Sequence, residues 1–244
     1  LNARIGDLPG NIPLKIAKKL GFKQAEYIAT GNWGNIYDIG LPDKLMKITI
    51  DEEESKTSFK LMGKNLKNVV SFYGVYKIDL SKYKLKFYIP EDLFVIIMDK
   101  VDFNKEENQK LDNNLDNTIQ TYYFDNPTDS KFEDLNMLVR KLTKNPFTND
   151  YGLEQYVKSI DKKHKNGIYK FYQFIISLLR ELNEFGITYG DIHSGNIGRR
   201  NGKLISFDMG VSTGGEEPKE KIKVEENKTI NYNDIQKKDQ LELV

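Results

Sequence analysis

Four short stretches of the chain carry side chains that could handle phosphate, metal and a proton. In "YGDIHSGN", Tyr189 to Asn196, an acid, an imidazole and an amide fall within six residues, and His193 is one of only two histidines in the chain. Asp191 could act as a base or orient a hydroxyl, and Asn196 could ligate a metal through its amide oxygen. A turn rich in Gly, Ser and Asn has the same composition for purely structural reasons. In "LISFDMG", Asp208 ends an apolar strand before a glycine, a place that suits a metal ligand or the start of a turn. In "GNWGNIY", Gly31 and Gly34 lie between two expected strands, where free backbone N–H groups can hold phosphate, although an ordinary hairpin also uses such glycines. Lys47 sits inside the apolar strand "LMKIT". Burial there is costly unless an anion is close; the alternative is an edge lysine facing water. Glu52, Glu53 and Glu54 follow on an expected helix, and one of them could be that anion.

The elements that must position these residues are legible from periodicity and punctuation. "NIPLKIAKKLG" reads as a helix with Asn11 at its start and Gly21 at its end. Residues 23–50 read as three strands with turns between them, and 51–64 as a helix with acids in its first turn. "NVVSFYGVYKI" and "LFVIIMDKV" supply two more strands, rich in β-branched and aromatic residues. From about residue 102 the composition turns polar and Asn-rich. The stretch 102–166 reads as an insertion, partly helical near 131–143 and otherwise loop-like. Ile168, Phe171, Tyr172, Ile175, Leu179 and Leu182 define a helix over 168–185, stopped by Gly186. "NIGRRNGKLISFD" reads as a hairpin turning at Asn201-Gly202, and the charged tail from Glu216 as loop with one short helix. The order is strand-rich first, then helix and hairpin, which makes an α+β chain of two lobes.

Composition narrows the chemistry. With no cysteine, disulfides, thiolate catalysis and Cys-based zinc sites are excluded. Two histidines are too few for a His-rich metal site, so a divalent ion would be held by carboxylate and amide oxygens, which suits magnesium. The net charge of +1 gives no bulk attraction to nucleic acid, and no apolar run is long enough to span a membrane.

Each stretch has an ordinary structural explanation, but their conjunction in this order is the parts list for phosphoryl transfer from ATP. Here the sequence resembles the protein kinase-like superfamily, over about 23–101 and 168–211. "IATGNWGNIY" is similar to the kinase glycine-rich loop, with Ala29 in place of the usual first glycine, Gly31 and Gly34 at the other two, and Ile36 at the valine. Asn32 and Trp33 form its tip. The resemblance implies that this loop covers the ATP phosphates and that Lys47 contacts them. It further implies that Asp191 is the catalytic-loop aspartate and that Asn196 and Asp208 hold magnesium. Met98, Asp99 and Val101, where "FVIIMDKV" leads into the hinge, would meet adenine. Glu54 is the choice as partner of Lys47; Glu52, on the same expected face as Phe59 and Met62, is the rival.

Departures from the pattern set the subclass. Tyr189 and Gly190 stand where protein kinases carry His-Arg, so control by an activation-loop phosphate is not expected. "GDIHSGN" resembles the loop of antibiotic and other small-molecule phosphotransferases, in which His193 would contact the γ-phosphate. Only 36 residues follow Asp208, which implies a reduced C-lobe, as in small bacterial effector kinases. The expected architecture is thus a bilobal protein kinase-like α+β fold with a five-stranded antiparallel N-lobe at 1–101, a polar insertion at 102–166 and a reduced helical C-lobe at 167–244. The expected function is transfer of the ATP γ-phosphate to a hydroxyl by a minimal Ser/Thr protein kinase, cytoplasmic or delivered into a host cell. A small-molecule phosphotransferase and a pseudokinase binding module are the alternatives.

Overall fold

A computed structural model describes residues 11–31, 33–78, 92–126, 134–145 and 150–210. Asn32 and the tail beyond Gly210 lie outside the described residues, and with them the expected tip of the glycine turn and the expected short C-terminal helix.

The first half is a helix and a sheet. Helix α1 (Asn11–Lys19) buries Ile12, Pro13, Ile16 and Ala17, a helical stripe, and Gly21 at φ +88° turns the chain out of it. Strands β1 (Glu26–Thr30), β2 (Gly34–Asp38), β3 (Lys44–Thr49), β4 (Phe72–Ile78) and β5 (Leu93–Asp99) form one antiparallel sheet in the order β1-β2-β3-β5-β4. Strands β3 and β5 are covered on both faces, which is why "LFVIIMD" is apolar throughout rather than alternating. Leu93, Val95 and Ile97 face α1, together with Met46 and Ile48 of β3. Ile96 and Met98 face the helical half. Lys47 pairs in register with Ile96 and Ile36, so the period of two turns its side chain to that second face. Between β3 and β4 lies helix α2 (Glu52–Leu61), whose N-cap Asp51 accepts from the Glu54 N–H at 3.0 Å.

The second half is helical: α3 (Lys105–Asp125), α4 (Leu135–Lys144), α5 (Tyr151–His164) and α6 (Ile168–Glu184). α4 lies where helix was expected near 131–143, but the loop content expected over the rest of 102–166 is not found, because α3 and α5 occupy much of it. Leu111, Leu115 and Ile119 of α3, Leu138 and Leu142 of α4, and Leu153 and Val157 of α5 share a core with Phe171, Ile175 and Leu182 of α6. The spacing 111, 115, 118, 119 is helical, but so few apolar positions in an Asn- and Asp-rich segment leave the signal faint. Among the described residues no helix is long and apolar enough to cross a membrane.

The hairpin β6 (Ile197–Arg200) and β7 (Lys203–Ser206) follows, with Asn201 and Gly202 both at positive φ (52° and 74°), as a type I′ turn requires. It joins the halves. Ser206 donates its N–H to Asn68 O at 2.8 Å and accepts from Val70 N at 3.0 Å, while Arg199 and Asp102 exchange both backbone bonds at 2.8 and 2.9 Å. The α+β class and the five-stranded antiparallel sheet read from the sequence are the architecture found.

Candidate active site

Lys47 is the centre of the site. Its side chain is 7% exposed, and its ammonium lies 2.5 Å from Glu54 Oε1 and 2.9 Å from Asp208 Oδ2. Burial works against the charge, but the two carboxylates outweigh it and hold the ammonium well above the usual lysine value. One cation between two carboxylates leaves one of them under-compensated. That one is Glu54, which burial pushes up to about 7 despite Lys47 beside it. Asp208 is burdened by burial too, but its side chain is 31% exposed. Lys47 and the Gly210 N–H, at 3.2 Å, hold its carboxyl below the usual range.

The helix acid is therefore Glu54. Glu52 and Glu53 lie outside, paired with Lys56 at 3.2 and 2.7 Å. On the expected face, Glu52 and Phe59 lie at the solvent side, with Phe59 59% exposed, and only Met62 packs against the core. The helix buries Glu54, Ser55, Thr57, Ser58 and Leu61 instead.

The glycine turn stands against the same lysine. Ala29 lies in exposed β1 and pairs with Ile36, just past a bulge. Gly31 donates its N–H to Gly34 O at 2.7 Å, and the Trp33 carbonyl accepts from Ile50 N and Thr49 Oγ1, both at 3.0 Å, while its indole is exposed. Gly34 is needed for packing: a Cβ there would sit 2.8 Å from Ile48 O and 3.0 Å from Lys47 Cε. Gly34→Ala should cost about 1–3 kcal/mol through overpacking. Chemical denaturation reads it, and an unchanged midpoint and slope would show that β3 yields freely.

The loop after α6 supplies the second group. Asn196 donates through Nδ2 to the Asp191 backbone oxygen at 2.9 Å and to Asp191 Oδ2 at 3.0 Å. That fixes the amide with Oδ1, the atom that could hold a metal, uncommitted to Asp191. His193 Nε2 lies 3.6 Å from Asp191 Oδ1, an ion pair rather than a hydrogen bond, and His193 Nδ1 accepts from Gly195 N at 3.0 Å. The Asp191 carboxylate draws the imidazole above its usual value against the effect of burial, and His193 in turn lowers Asp191. In Asp191→Asn the His193 titration should therefore move to lower pH. The folded state of the wild type gains from this pair below about pH 6.5 and loses the gain as pH rises through the raised value. Proton NMR of the imidazole follows the shift, and an identical titration in the variant would mean the two do not interact.

Two links bring the groups together. The Phe207 N–H donates to Asn196 O at 3.1 Å at the base of the β6–β7 hairpin, which sets Asp208 beside the loop. Tyr189, 1% exposed, donates its hydroxyl to the Asp208 carbonyl at 2.6 Å. The sequence reading assigned Tyr189 no contact; its signal was only a large apolar ring next to the candidate aspartate. Lys47, Glu54, Asp208, Asn196, Asp191 and His193 thus form one connected set.

The residues expected at the hinge are engaged within the protein. Met98 is in the core. The Asp99 N–H is committed to Ser71 O at 3.1 Å and the Lys100 N–H to Asp43 O at 2.7 Å. The Asp99 carboxylate accepts from Ser71 N at 2.9 Å, Tyr73 Oη at 2.6 Å and the Arg200 guanidinium, a joint between sheet and hairpin. Val101 packs against Gly198, where a Cβ would sit 2.8 Å from its Cγ2.

No protein-family model and no curated protein sequence matches the chain. Solved structures similar to it include APH(2″)-IIa in a ternary complex with streptomycin and ATP, at 12% identity and a TM-score of 0.31, covering 84% of this chain and 71% of that one. A thermostable mutant of the aminoglycoside phosphotransferase APH(4)-Ia, in a ternary complex with ADP and hygromycin B, is similar at 8% identity and a TM-score of 0.36, covering 82% and 71%. ADP-bound aminoglycoside phosphotransferase APH(2″)-Ib is similar at 13% identity and a TM-score of 0.33, covering 83% and 71%. Values this low leave the reading to the chain's own geometry.

Proposed function

We propose that the protein is an ATP-dependent phosphotransferase of the protein kinase-like type, moving the γ-phosphoryl group of ATP to a hydroxyl. The observation that carries this reading is the buried Lys47 ammonium held between Glu54 and Asp208. A cation fixed in this way between a helix and a strand-end aspartate is what orientation of polyphosphate requires.

In this reading residues 1–101 form the nucleotide lobe and the helices after them the other lobe. The Gly31–Gly34 turn covers the phosphates, Ile36 and the Met98–Val101 stretch flank the base, and Lys47 neutralises phosphate charge. The donors fit magnesium: Asn196 Oδ1 and the Asp208 carboxylate are hard oxygen ligands, and Mg²⁺ takes few protein ligands beside phosphates and water. Held by Asn196 and Asp208, it would offset the charge of the transferring phosphoryl group. Asp191, whose side chain is 44% exposed, orients the acceptor hydroxyl and takes its proton as oxygen bonds to the γ-phosphorus. The bond from that phosphorus to the β-bridging oxygen breaks, and ADP leaves. His193 donates to the γ-phosphoryl oxygens.

The acceptor in this reading is a Ser or Thr hydroxyl of a protein. α3, α4 and α5 are built into the core with α6, so they do not form a free lid that would enclose a small acceptor. A second reading, a small-molecule acceptor, is favoured by one observation, the His193–Asp191 pair in the loop form "GDIHSGN". The test is transfer of label from radioactive ATP with magnesium into a protein mixture, beside Asp208→Ala. Equal labelling by the two ends the phosphotransferase reading. ATP consumption in a metabolite screen without protein labelling selects the second acceptor.

A further inference from the structure

The loop from Asp191 to Asn196 has little secondary structure, one 3-10 turn over Ser194–Asn196, so its shape depends on what its polar backbone groups meet. Part of the answer is internal: Asn196 N bonds His193 O at 2.9 Å and Gly195 N bonds His193 Nδ1 at 3.0 Å. The rest comes from α3. Asp112 Oδ2 accepts from the Ser194 N–H at 2.9 Å. Asn108 donates through Nδ2 to Ile197 O at 2.5 Å and more weakly to Ser194 O at 3.5 Å. The two residues are four apart, so one helix face presents both.

The brace has its own foundation. Asn104 caps α3 by accepting from the Glu107 N–H at 3.1 Å. Just before it, Asp102 is tied to Arg199 of β6 by two backbone bonds, and the Arg199 guanidinium reaches Glu107. Leu111, Leu115 and Ile119 lock the same helix into the core. Asn108 is 2% exposed, and its side chain donates to the loop and to the start of β6. A buried amide is costly without partners, so its presence on this face is explained by those bonds.

We infer that Asn108 and Asp112 are positioning residues, which hold the 191–196 loop from α3 and thereby aim Asp191 and Asn196. The bond from the Ser194 N–H to a carboxylate is charge-assisted and directional, and it fixes the entry to the turn that ends in Asn196. The polar segment 102–126 thus has a task that its composition conceals. The inference rests on the phosphotransferase reading for its kinetic arm only; the state of the Ser194 amide can be read without it.

The test uses the full chain and compares wild type with Asp112→Ala, Asp112→Asn and Asn108→Ala. Asp112→Ala should speed hydrogen exchange at the Ser194 amide. It should lower kcat by ~10–100-fold, as loss of a supporting partner does, while KM for ATP changes by less than about 2-fold. Asp112→Asn, whose amide oxygen can still accept, should restore most of both. Asn108→Ala should act like Asp112→Ala where it remains folded by circular dichroism. The inference is overturned if Ser194 exchange is the same in Asp112→Ala and wild type. It is overturned as well if Asp112→Ala keeps wild-type kcat, or if Asp112→Asn is as impaired as Asp112→Ala. Wild type without any transfer removes the phosphotransferase reading, and the exchange comparison then still decides whether α3 holds the loop.

Discussion

Asp208→Ala should abolish measurable phosphate transfer while leaving the protein folded. The carboxylate holds one of the two oxygen-ligand positions proposed for magnesium, and metal stabilisation of transferring phosphoryl charge is worth several kcal/mol. At about 1.4 kcal/mol per tenfold, that is a loss on the order of 10³-fold or more in kcat. Folding should survive because Lys47 keeps Glu54 at 2.5 Å, and because Asp208, with a side chain 31% exposed, is the less buried of the two acids. Removing it should even ease Glu54, whose raised carboxyl value owes part of its height to Asp208. Labelling assays and a thermal melt together check this. A folded Asp208→Ala that transfers at near the wild-type rate would end the phosphotransferase reading of this site.

Lys47→Ala should fail in a different way, through stability as well as activity. It leaves the Glu54 carboxylate, 3% exposed, facing Asp208 with no cation between them. Stripping one partner from a buried pair costs about 3–5 kcal/mol. The loss should depend on pH. Glu54 already sits at about 7 against an ordinary 4.5, and without Lys47 it rises further. A carboxyl raised on folding favours the folded state below its unfolded value, and that advantage is lost as pH rises through the folded value. The deficit of Lys47→Ala should thus be larger at pH 8 than at pH 5. The double variant Lys47→Met with Glu54→Gln removes both charges and should recover much of the stability with none of the activity. Denaturant melts at the two pH values decide the matter; a deficit independent of pH would mean that Glu54 is not the group left stranded. ATP should bind more weakly to Lys47→Ala, and equal affinity would point to another lysine.

How far the sequence could be read depended on whether a feature is local. The strands, α6 and the β6–β7 hairpin announce themselves by spacing and by Asn201-Gly202, because period and turn chemistry act over a few residues. The same holds for the lysine in a strand, the Asp-x-x-x-x-Asn loop and the strand-end aspartate. The helices α3 and α5 were hidden because burial there relies on a few isolated apolar residues, such as Leu111 and Leu115 in α3 and Leu153 and Val157 in α5. Hydrophobicity also misjudged α2: Phe59 faces water while Ser55, Thr57 and Ser58 are buried against the sheet side.

By itself the sequence determined the kinds of chemistry available and their order along the chain: oxygen ligands, a lysine amid apolar strand residues, a glycine turn and no thiol. Tertiary structure alone decided which groups meet. Strand alternation aimed Lys47 at the second face, and the rotation of α2 about its axis chose Glu54 over neighbours one and two residues away. The hairpin base brought Asp208 beside Asn196, and α3 reached across more than 80 positions of sequence to hold Ser194. A residue's type follows from the chain, but its partner follows from which faces pack, and packing is settled by the whole core at once.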